Sequence, residues 1–374
     1  TGWLNDPNGL CQFQGLYHIY YKYTPFEPTG EIKLWGHYTT RDFIHYKQEE
    51  PALFPDQDLD AHGVYSGSAY VEDKTIHYFY TGNVKLFDRD DYDYIMSGRV
   101  SNTIHVTSRD GYHFSAKELV MNHKDYPADM SCHIRDPKVL KKGEYYYMVL
   151  GARDALSKGM VLVYRSMDLT NWEYFNRITT EQTFGYMWEC PDYFKVEGRS
   201  VFAFSPQGIE AEEYRFANIY QSGYLADVRL PDTSQIRDIY KKFREWDLGF
   251  DFYAPQTLEA PDGRRILFGW AGVSDSPYDN EPSIREGWQH SMTVPRELSW
   301  KGGILCQKPV RELEALRKDE IVFEQGEAEI HGGAFDLVAE RDIAGDIPVR
   351  ICFNQEFQIT YGHGVVSMEF LNNT

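Results

Sequence analysis

Hydrophobic and polar positions alternate in short runs along most of the chain, and clusters of turn residues separate the runs. The runs are rich in Val, Ile, Tyr and Phe, whereas Gly, Pro, Asn and Asp collect between them. Alternation with a period of two predicts strands that bury one face. Helical periodicity is scarce, and its clearest example is a short stretch near residues 235–245. The pattern therefore predicts an all-β fold.

Five segments share one plan, in which a Pro or Gly turn leads into an apolar strand, a tight polar turn and a second aromatic or aliphatic strand. Their starts lie roughly 50 to 70 residues apart, a spacing that indicates repeated supersecondary units. The segments are DPNGLCQFQGLYHIYYKY from Asp6, YSGSAYVEDKTIHYFYTG from Tyr65, DPKVLKKGEYYYMVLGA from Asp136, ECPDYFKVEGRSVFAFS from Glu189 and YAPQTLEAPDGRRILFGW from Tyr253.

Four-stranded units repeated at this spacing predict a β-propeller, because no single unit can bury its faces alone. Five units give a five-bladed propeller over residues 1–300. A large β-sandwich is the alternative, but sandwiches lack such a repeat. The innermost strand of each blade runs along the central channel, so we expect the turn entering that strand to point at the channel mouth.

The alignment of the five repeats makes two further predictions, one about buried aromatic residues and one about turns. Tyr147, Phe202 and Phe268 occupy equivalent places in the second strands of the last three repeats, and we expect at least two of them to be buried between blades. An Asp turn also precedes an aromatic residue in three segments that we predict to be outer strands. These segments are TTRDFIHY (39–46), TSRDGYHF (107–114) and RSMDLTNWEY (165–174).

The pattern changes after residue 300. The charged segment KPVRELEALRKDE (308–320) indicates a linker with room for a short helix, and we assign residues 301–320 to this linker. Strand-like runs over 321–374 then predict the start of a C-terminal β-sandwich. Some 55 residues are few for an independent sandwich, so we expect this region to be cut short.

Composition and charge narrow the function. Aromatic residues make up 16% of the chain and supply flat apolar surfaces on which sugar rings stack. The formal net charge of −19 argues against nucleic acid and against anionic membranes. No apolar run approaches the roughly 18 residues that a membrane span needs. We therefore predict a small-molecule or oligosaccharide partner and make no prediction of the oligomeric state.

The five cysteines are scattered along the sequence. No CxxC pair or Cys/His spacing is present, so neither a zinc site nor a disulfide framework is predicted. Free thiols favour a reducing, cytoplasmic compartment. The sequence begins abruptly without an initiator Met, and a secreted form therefore stays open.

Three carboxylates begin predicted innermost strands, namely Asp6, Asp136 and Glu189. The propeller repeat would bring them to one funnel although they are distant in sequence. Two carboxylates at a reactive bond are the usual equipment for glycoside hydrolysis. A bound cation is the rival use of such a cluster, although the acidic loop DRDDYD (88–93) suits calcium better, and that loop is more simply a solvated charged segment.

The neighbours of these acids suggest different roles. Asn5 and turn amides would stabilise an anionic Asp6, which suits a nucleophile, whereas apolar Trp188 beside Glu189 favours a protonated acid. Asp136 follows Arg135 directly, and the charge of Arg135 would keep Asp136 ionised. An ionised Asp136 suits binding sugar hydroxyls rather than transferring protons. A plain turn ion pair is the alternative for these two residues.

Three motifs carry a family resemblance: WLNDPNG (3–9), RDP (135–137) and WECPD (188–192). They resemble the signature motifs of glycoside hydrolase family 32, the β-fructofuranosidases. The resemblance implies a five-bladed propeller followed by a β-sandwich, hydrolysis of fructosides and no cofactor or metal. Supporting matches are WGH (35–37), YSGS (65–68), YTGN (80–83), FYAPQT (252–257), FGW (268–270) and PREL (295–298).

By position in these motifs, Asp6 resembles the family nucleophile, Glu189 its acid/base and Asp136 the carboxylate that binds fructose hydroxyls. These roles agree with those argued from the neighbouring residues. The resemblance also implies a set of further residues that line the fructose pocket. They are Asn5, Ser66, Arg135 and Trp270.

The chain departs from the family pattern at two places. Lys22 stands where the family usually has a pocket glutamine, and the segment FEPTGEIKL (26–34) lacks the tryptophan often found before WGH. Lys22 would weaken the Asp6 nucleophile by stabilising its anion, or attract an anionic substrate. The alternative is that Lys22 turns to Glu27 or Glu31 at the surface and contacts no substrate.

The sequence thus predicts a retaining β-fructofuranosidase that releases fructose from sucrose, sucrose 6-phosphate or short fructans. The leaving group is not predicted. One alternative is an inverting arabinosidase- or xylosidase-like propeller, which also places three acids around a channel. Another is a fructan-binding propeller with weak or lost turnover, and Lys22 is the residue that favours it.

Overall fold

The computed structural model describes residues 1–322, 326, 329, 334–340 and 348–371. It contains two compact units, Thr1–Ala315 and Leu316–Thr374. Strands dominate both units, which confirms the all-β prediction. The helices among the described residues are too short to cross a membrane.

Five sheets follow one another along the first unit, because the chain completes most of each antiparallel meander before it begins the next. Hereafter they are sheets I to V. Their main strands are β1 (Gly2–Phe13), β2 (Leu16–Thr24), β3 (Leu34–Thr40) and β4 (Tyr46–Gln48) in I; β5 (Val64–Glu72), β6 (Thr75–Lys85), β7 (Arg99–Ser108) and β8 (Glu118–Met121) in II; β9 (Met130–Lys142), β10 (Tyr145–Asp154), β11 (Gly159–Ser166) and β12 (Glu173–Thr180) in III; and β13 (Met187–Val196), β14 (Arg199–Gln207) and β15 (Gly223–Ala226) in IV.

Short elements complete sheets III and IV, and sheet V ends the unit. Strand β16 joins β12, and β17 joins β15. The remaining elements of the unit are β16 (Gln235–Ile236), α1 (Ile239–Lys242), β17 (Arg244–Glu245), β18 (Tyr253–Glu259), β19 (Arg265–Ala271), α2 (Glu281–Arg285), β20 (Trp288–Gln289), β21 (Ser291–Met292), β22 (Arg296–Lys301) and β23 (Ile304–Pro309), with a 3₁₀ helix at Arg311–Leu316 crossing into the second unit.

The first strands of the five sheets form a closed ring. Strand β1 packs against β5, β5 against β9, β9 against β13 and β13 against β18, and β18 packs against β1. Strand β20, late in the chain, also pairs in parallel with β1. The N-terminal strand is thus held by residues from both ends of the unit, and the ring covers faces that a single sheet would expose.

The hydrogen-bond ladder of every first strand is interrupted at an equivalent level. In each case three steps along the first strand oppose two along the second, which is a β-bulge. A proline, which cannot donate to the ladder, lies within or just after the bulge in four of the five strands. The bulges lie between Leu4 and Pro7, Val64 and Gly67, Arg135 and Lys138, Glu189 and Asp192, and Tyr253 and Gln256.

These bulges correct one expectation. The repeated motifs were expected to be turns entering the innermost strands, but they lie inside strands that start several residues earlier. The residue before proline adopts a left-handed conformation in three bulges, with φ of 62° at Asp136 and 47° at Cys190 and Ala254. A kink inside the strand re-aims side chains that regular alternation would send to one face or the other.

Aromatic and aliphatic side chains fill the spaces between the sheets. Tyr147, Phe202 and Phe268 are 8%, 0% and 2% exposed, so the predicted burial of these second-strand residues is confirmed. Trp188 stacks on Phe204 with ring centroids 4.1 Å apart in the cluster between sheets III and IV.

The three predicted Asp turns are equivalent in the structure. Asp42, Asp110 and Asp168 each follow the third strand of their sheet. One carboxylate oxygen of each accepts hydrogen bonds from the backbone N–H groups two and three residues ahead. These bonds tie the turns that lead to the outer strands.

The end of the first unit differs from the predicted linker. Strand β23 lies within the range assigned to the linker, but it pairs with β22 at the edge of sheet V. The 3₁₀ helix falls where a short helix was expected.

The second unit contains a three-stranded antiparallel sheet. Its strands are β24 (Val349–Phe353), β25 (Phe357–Gly362) and β26 (Val365–Phe370). Part of the predicted sandwich lies outside the described residues, namely 323–325, 327–328, 330–333, 341–347 and 372–374. The sandwich assignment and the domain limits at 300 and 320 stay predictions.

The buried aromatic residues lead to a stability prediction. Phe202→Ala should lower the free energy of unfolding by about 3–5 kcal/mol, because it leaves a cavity between sheets III and IV. Urea unfolding measures the loss. Phe26→Ala is the control, since that ring is 88% exposed and its removal should cost under about 0.5 kcal/mol. Equal losses in the two variants would contradict this account of the core.

Candidate active site

The bulges bring the three predicted acids together. Asp6 lies in β1, Asp136 in β9 and Glu189 in β13. The Cys190 thiol lies 3.7 Å from Oδ2 of Asp6 and 3.6 Å from Oδ2 of Asp136, so it joins two of the carboxylates and is adjacent in sequence to the third. Asp6 and Asp136 are buried, and the Glu189 side chain is 16% exposed. Residues from three different sheets thus form one acidic site.

The hydrogen bond and the ion pair that the described residues make with the Asp6 carboxylate both fall on one oxygen. Ser66 Oγ donates to Oδ2 over 2.6 Å, and Lys22 Nζ lies 2.7 Å from the same oxygen. No hydrogen bond from the described residues reaches Oδ1 of Asp6. The arrangement holds the carboxylate in place and leaves one oxygen available to a ligand.

Lys22 therefore belongs to the site. Its ammonium group pairs with Asp6, so the alternative in which it turns to Glu27 or Glu31 is wrong. Burial disfavours its charge, but the charges of Asp6 and then Asp136 outweigh burial and hold the Lys22 pKa above its ordinary value.

Asp136 is held by backbone groups rather than by an ion pair. Its Oδ2 accepts the Cys190 N–H over 2.9 Å, and its own N–H donates to Thr81 Oγ1. Burial, followed by the charge of Glu189, raises the Asp136 pKa to about 6, although Arg135 and Lys22 act in the opposite direction. The expected direct pairing of Asp136 with Arg135 is therefore wrong.

Arg135 instead pairs with Glu189. Its Nε and Nη2 atoms lie 2.8 and 2.7 Å from Oε1 of Glu189. Gln207 Nε2 donates to Oε2 over 2.9 Å, and the Tyr253 hydroxyl donates to Oε2 over 2.6 Å. A hydroxyl can also rotate to accept a hydrogen bond, so Tyr253 can pair with both the ionised and the protonated forms of Glu189.

Trp188 does not supply the expected apolar wall beside Glu189. Its indole packs in the cluster between sheets III and IV and donates to the Phe184 carbonyl over 2.6 Å. Successive strand residues face opposite sides, so sequence adjacency sends these two side chains apart.

His133 orients the arginine. Its Nδ1 lies 2.9 Å from Arg135 Nη1, and its Nε2 lies 2.8 Å from the Tyr94 carbonyl oxygen. Nε2 must therefore carry the proton, which leaves Nδ1 to accept from the guanidinium. Burial and the Arg135 charge lower the His133 pKa to about 2, so this acceptor stays neutral.

Asn5 and Trp270 contribute buried polar atoms to the site. Both residues are buried, and neither Oδ1 of Asn5 nor Nε1 of Trp270 has a hydrogen-bond partner among the described residues. The Trp3 and Trp270 rings lie 6.2 Å apart, and Nε1 of Trp3 is likewise unpaired within the described part of the chain. Buried polar atoms of this kind are costly unless a ligand satisfies them.

Several site residues were not predicted. Cys190 and Tyr253 lie within the recognised motifs WECPD and FYAPQT, so the signal was present. Gln207 and Lys33 carry no comparable motif. The Lys33 ammonium lies 5.1 Å from the Trp3 ring centroid, and burial followed by the charge of Lys22 lowers its pKa to about 7.

The positive side chains argue against a cation site among the three acids. Lys22 and Arg135 occupy carboxylate oxygens that a metal ion would need. Within the described ranges, no group of three or more His, Cys, Asp or Glu residues is arranged to hold a metal.

Residues 1–309 match the family model described as "Glycosyl hydrolases family 32 N-terminal domain". That match covers well over half of the sequence. The chain belongs to glycosyl hydrolase family 32.

Individual relatives of this family agree with the match. The chain is 40% identical over 349 residues to the sucrose-6-phosphate hydrolase of Bacillus subtilis (strain 168), an alignment covering 91% of this chain and 69% of that protein. The raffinose invertase of Escherichia coli is 40% identical over 320 residues, or 85% of this chain and 64% of that protein.

Solved structures give the same result. The sucrose-6-phosphate hydrolase from Lactobacillus gasseri is 32% identical with a TM-score of 0.76, covering 85% of this chain and 63% of that one. A family 32 β-fructofuranosidase of Bombyx mori is 33% identical with a TM-score of 0.73, covering 85% and 65%. The chain thus spans about two thirds of the length of these relatives.

The matches confirm the family that the three motifs indicate, together with the predicted β-propeller architecture and the glycosidase class. They do not favour the arabinosidase- or xylosidase-like alternative.

The burial of Asp136 in this family 32 site leads to a pH prediction. Its pKa is raised on folding, so folding favours the protonated form, and stability is lost as the pH rises from about 4 through about 6. The free energy of unfolding of Asp136→Asn should therefore exceed that of the wild type at about pH 8, by up to about 3 kcal/mol. This difference should shrink towards about pH 4.

Urea titrations of both proteins at these two pH values measure the effect. Asp58→Asn is the control, because this exposed carboxyl is solvated in the folded and unfolded states alike. A gain for Asp136→Asn that is the same at both pH values would contradict a charge effect.

Proposed function

We propose that this chain is the catalytic part of a retaining β-fructofuranosidase. The observation that carries the proposal is the contrast between two neighbouring acids. No donor from the described residues reaches Oδ1 of Asp6, so that oxygen can attack as a nucleophile requires. Glu189 is instead oriented through both oxygens by Arg135, Gln207 and Tyr253, and the Tyr253 hydroxyl can pair with either protonation form.

The first chemical step forms a fructosyl ester. Oδ1 of Asp6 attacks the anomeric carbon while the bond from that carbon to the leaving oxygen breaks. Glu189 delivers its proton to the leaving oxygen in the same step. The ammonium of Lys22 and the hydroxyl of Ser66 hold the Asp6 carboxylate during the attack.

The second step releases fructose. Water attacks the anomeric carbon of the ester, Glu189 accepts the proton of that water, and Asp6 leaves as a carboxylate. The Tyr253 hydroxyl can donate a hydrogen bond to ionised Glu189 and accept one from protonated Glu189. It can therefore stay hydrogen-bonded to Glu189 in both steps.

The remaining pocket residues are proposed to bind the fructosyl unit. Asn5 and Trp270 offer unpaired polar atoms, and Asp136 offers a carboxylate oxygen to sugar hydroxyls. Ser66, Lys22 and Arg135 act by holding the acids and bordering the sugar.

The substrate is proposed from the relatives. The names sucrose-6-phosphate hydrolase and raffinose invertase support sucrose 6-phosphate and sucrose-type sugars as substrates, which would yield fructose. Short fructans are proposed from the family resemblance of the motifs. The five cysteines are free, which supports a cytoplasmic location. We also propose that the second unit belongs to the β-sandwich that the family resemblance implies.

Variants of the two acids test the mechanism. Asp6→Asn should lower kcat on sucrose by several orders of magnitude, because it removes the covalent route. Glu189→Gln should slow sucrose far more than an activated aryl fructoside, whose leaving group needs little protonation. Release of fructose and of the aryl alcohol is measured for each protein.

Asp232→Asn, which changes an exposed carboxyl, is the control and should keep wild-type rates. Equal losses of Glu189→Gln on both substrates would exclude Glu189 as the acid. Wild-type protein that binds sucrose without releasing fructose would instead support the fructan-binding alternative.

Lys22 generates a separate prediction. Its ammonium lies 2.7 Å from Oδ2 of Asp6, and this ion pair draws electron density from the carboxylate that is proposed to attack. Lys22→Gln should therefore raise kcat on sucrose, by up to about tenfold for a change near 1.4 kcal/mol in the barrier. Initial rates on sucrose and sucrose 6-phosphate measure it.

Lys47→Gln removes the same charge from the outer strand of sheet I and serves as the matched control. A loss confined to sucrose 6-phosphate would identify Lys22 as a phosphate contact. Unchanged rates on both substrates would contradict both functional interpretations.

A further inference from the structure

Lys33 is a half-buried cation whose ammonium contacts a neutral group. It donates a hydrogen bond to Thr24 Oγ1 over 2.9 Å. Within the described residues, no carboxylate forms an ion pair with this ammonium. Three other lysines with shielded side chains each pair with a carboxylate. These pairs are Lys22 with Asp6, Lys117 with Asp60 and Lys138 with Asp192.

Sheets I and II fix the position of Lys33. It directly precedes β3, and its backbone oxygen accepts the Val64 N–H of β5 over 2.8 Å. Its ammonium lies 5.1 Å from the centroid of the Trp3 ring in β1. Gly30 has a φ of 84°, and a Cβ there would lie 3.0 Å from Nζ of Lys33 and 3.2 Å from the Trp3 ring. A glycine at this position thus lets the loop before β3 approach the ammonium and the ring closely.

The polar atoms around the ammonium are mainly hydrogen-bond donors. A lysine ammonium has three N–H groups, and Thr24 accepts a hydrogen bond from one of them. Nε1 of Trp3 is a further donor, and it is buried without a partner in the part of the chain that the structure describes. Donors that lack acceptors suit a ligand group that only accepts, such as a phosphate or a carboxylate.

The charge of Lys33 is poorly stabilised by its surroundings. Burial, followed by the charge of Lys22, lowers the Lys33 pKa to about 7, although the charges of Asp6 and Glu31 act in the opposite direction. An anion at the ammonium would favour the charged form, as the Asp6 carboxylate does for Lys22. A bound anion would therefore supply the partner that the neighbouring residues do not.

The place of Lys33 in the ring of sheets determines which part of a substrate it can contact. The partners of Glu189 come from sheets III, IV and V, whereas Lys33 lies where sheets I and II meet. The first strands pack in the order I, II, III, IV and V, so Lys33 and Glu189 are on opposite sides of the ring. In the proposed mechanism the leaving group departs beside Glu189 and the fructosyl unit stays with Asp6. Lys33 is therefore on the fructosyl side.

We propose that Lys33 and the indole N–H of Trp3 bind an anionic group, such as phosphate, on a primary carbon of the fructosyl unit. The inference rests on the proposed function, because that function places the fructosyl unit against Asp6. Lysine binds phosphate as a point charge, and its hydrogen bonds to such an anion are charge-assisted. The substrate class differs from sucrose 6-phosphate, whose phosphate lies on the leaving glucose.

Calorimetric binding of single sugars tests this site without turnover. Fructose 6-phosphate and fructose 1-phosphate carry phosphate on the two primary carbons, and fructose is the uncharged reference. At least one of the phosphates should bind the wild type about tenfold more tightly than fructose does. Lys33→Gln should remove this advantage, whereas Lys33→Arg keeps the charge and should keep part of the advantage. Lys47→Gln, which removes an exposed charge from sheet I, is the matched control and should keep all of it.

Two binding results would overturn the proposal directly. In one, both fructose phosphates bind the wild type no more tightly than fructose. In the other, the advantage of the phosphate survives in Lys33→Gln. Glucose 6-phosphate is measured alongside, because a loss in Lys33→Gln confined to that sugar would place Lys33 at the leaving group and would also refute the fructosyl assignment.

Turnover provides a second test. Its substrate is sucrose phosphorylated at the primary fructosyl carbon that the binding measurements favour. The kcat/KM for this sugar relative to that for sucrose should fall about tenfold in Lys33→Gln, and the corresponding ratio for sucrose 6-phosphate should change less. An unchanged ratio would contradict the proposal. Wild-type protein that hydrolyses none of the three sugars would refute the proposed function, and the binding affinities would still decide the anion site.

Discussion

The interruption of the hydrogen-bond ladder in the first strands is the constraint on which the site depends. Proline has no N–H to donate, and Pro137, Pro191 and Pro255 lie inside the interruptions, whereas Pro7 lies where pairing resumes. Each bulge changes the direction of side chains that regular pairing would have placed on one face of the sheet or the other. Because the five first strands pack into a closed ring, the bulges lie at one level, and three of them present an acid there.

The bulges bring three carboxylates into a buried site, where burial disfavours their charged forms. Two cations inside the site, Lys22 and Arg135, each take one acid, so Asp6 and Glu189 are ion-paired. Among the described residues, a backbone N–H and a thiol contact Oδ2 of Asp136, and burial followed by the charge of Glu189 raises its pKa to about 6. The formal net charge of the chain is −19. The ion pairs inside the site, and not this net charge, leave Asp136 as the acid without a direct ionic partner among the described residues.

Glu189, the proposed acid/base residue, depends on the closure of the ring. Its donors come from sheet III (Arg135), sheet IV (Gln207) and sheet V (Tyr253). Displacing any of these sheets would therefore change the hydrogen bonds of Glu189.

The sequence by itself determined the all-β class, the repeat, the family and the three acids, because period-two alternation and short motifs are local properties of the chain. It also predicted the buried aromatics of the second strands, since the repeat fixes which face they occupy. Contacts between sheets were decided only by the tertiary structure. Adjacency in sequence suggested Arg135 with Asp136 and Trp188 with Glu189, yet Arg135 pairs with Glu189 and Trp188 packs in the core. Neighbouring strand residues face opposite sides, and their partners come from strands tens of residues away, so no local pattern encodes those pairs.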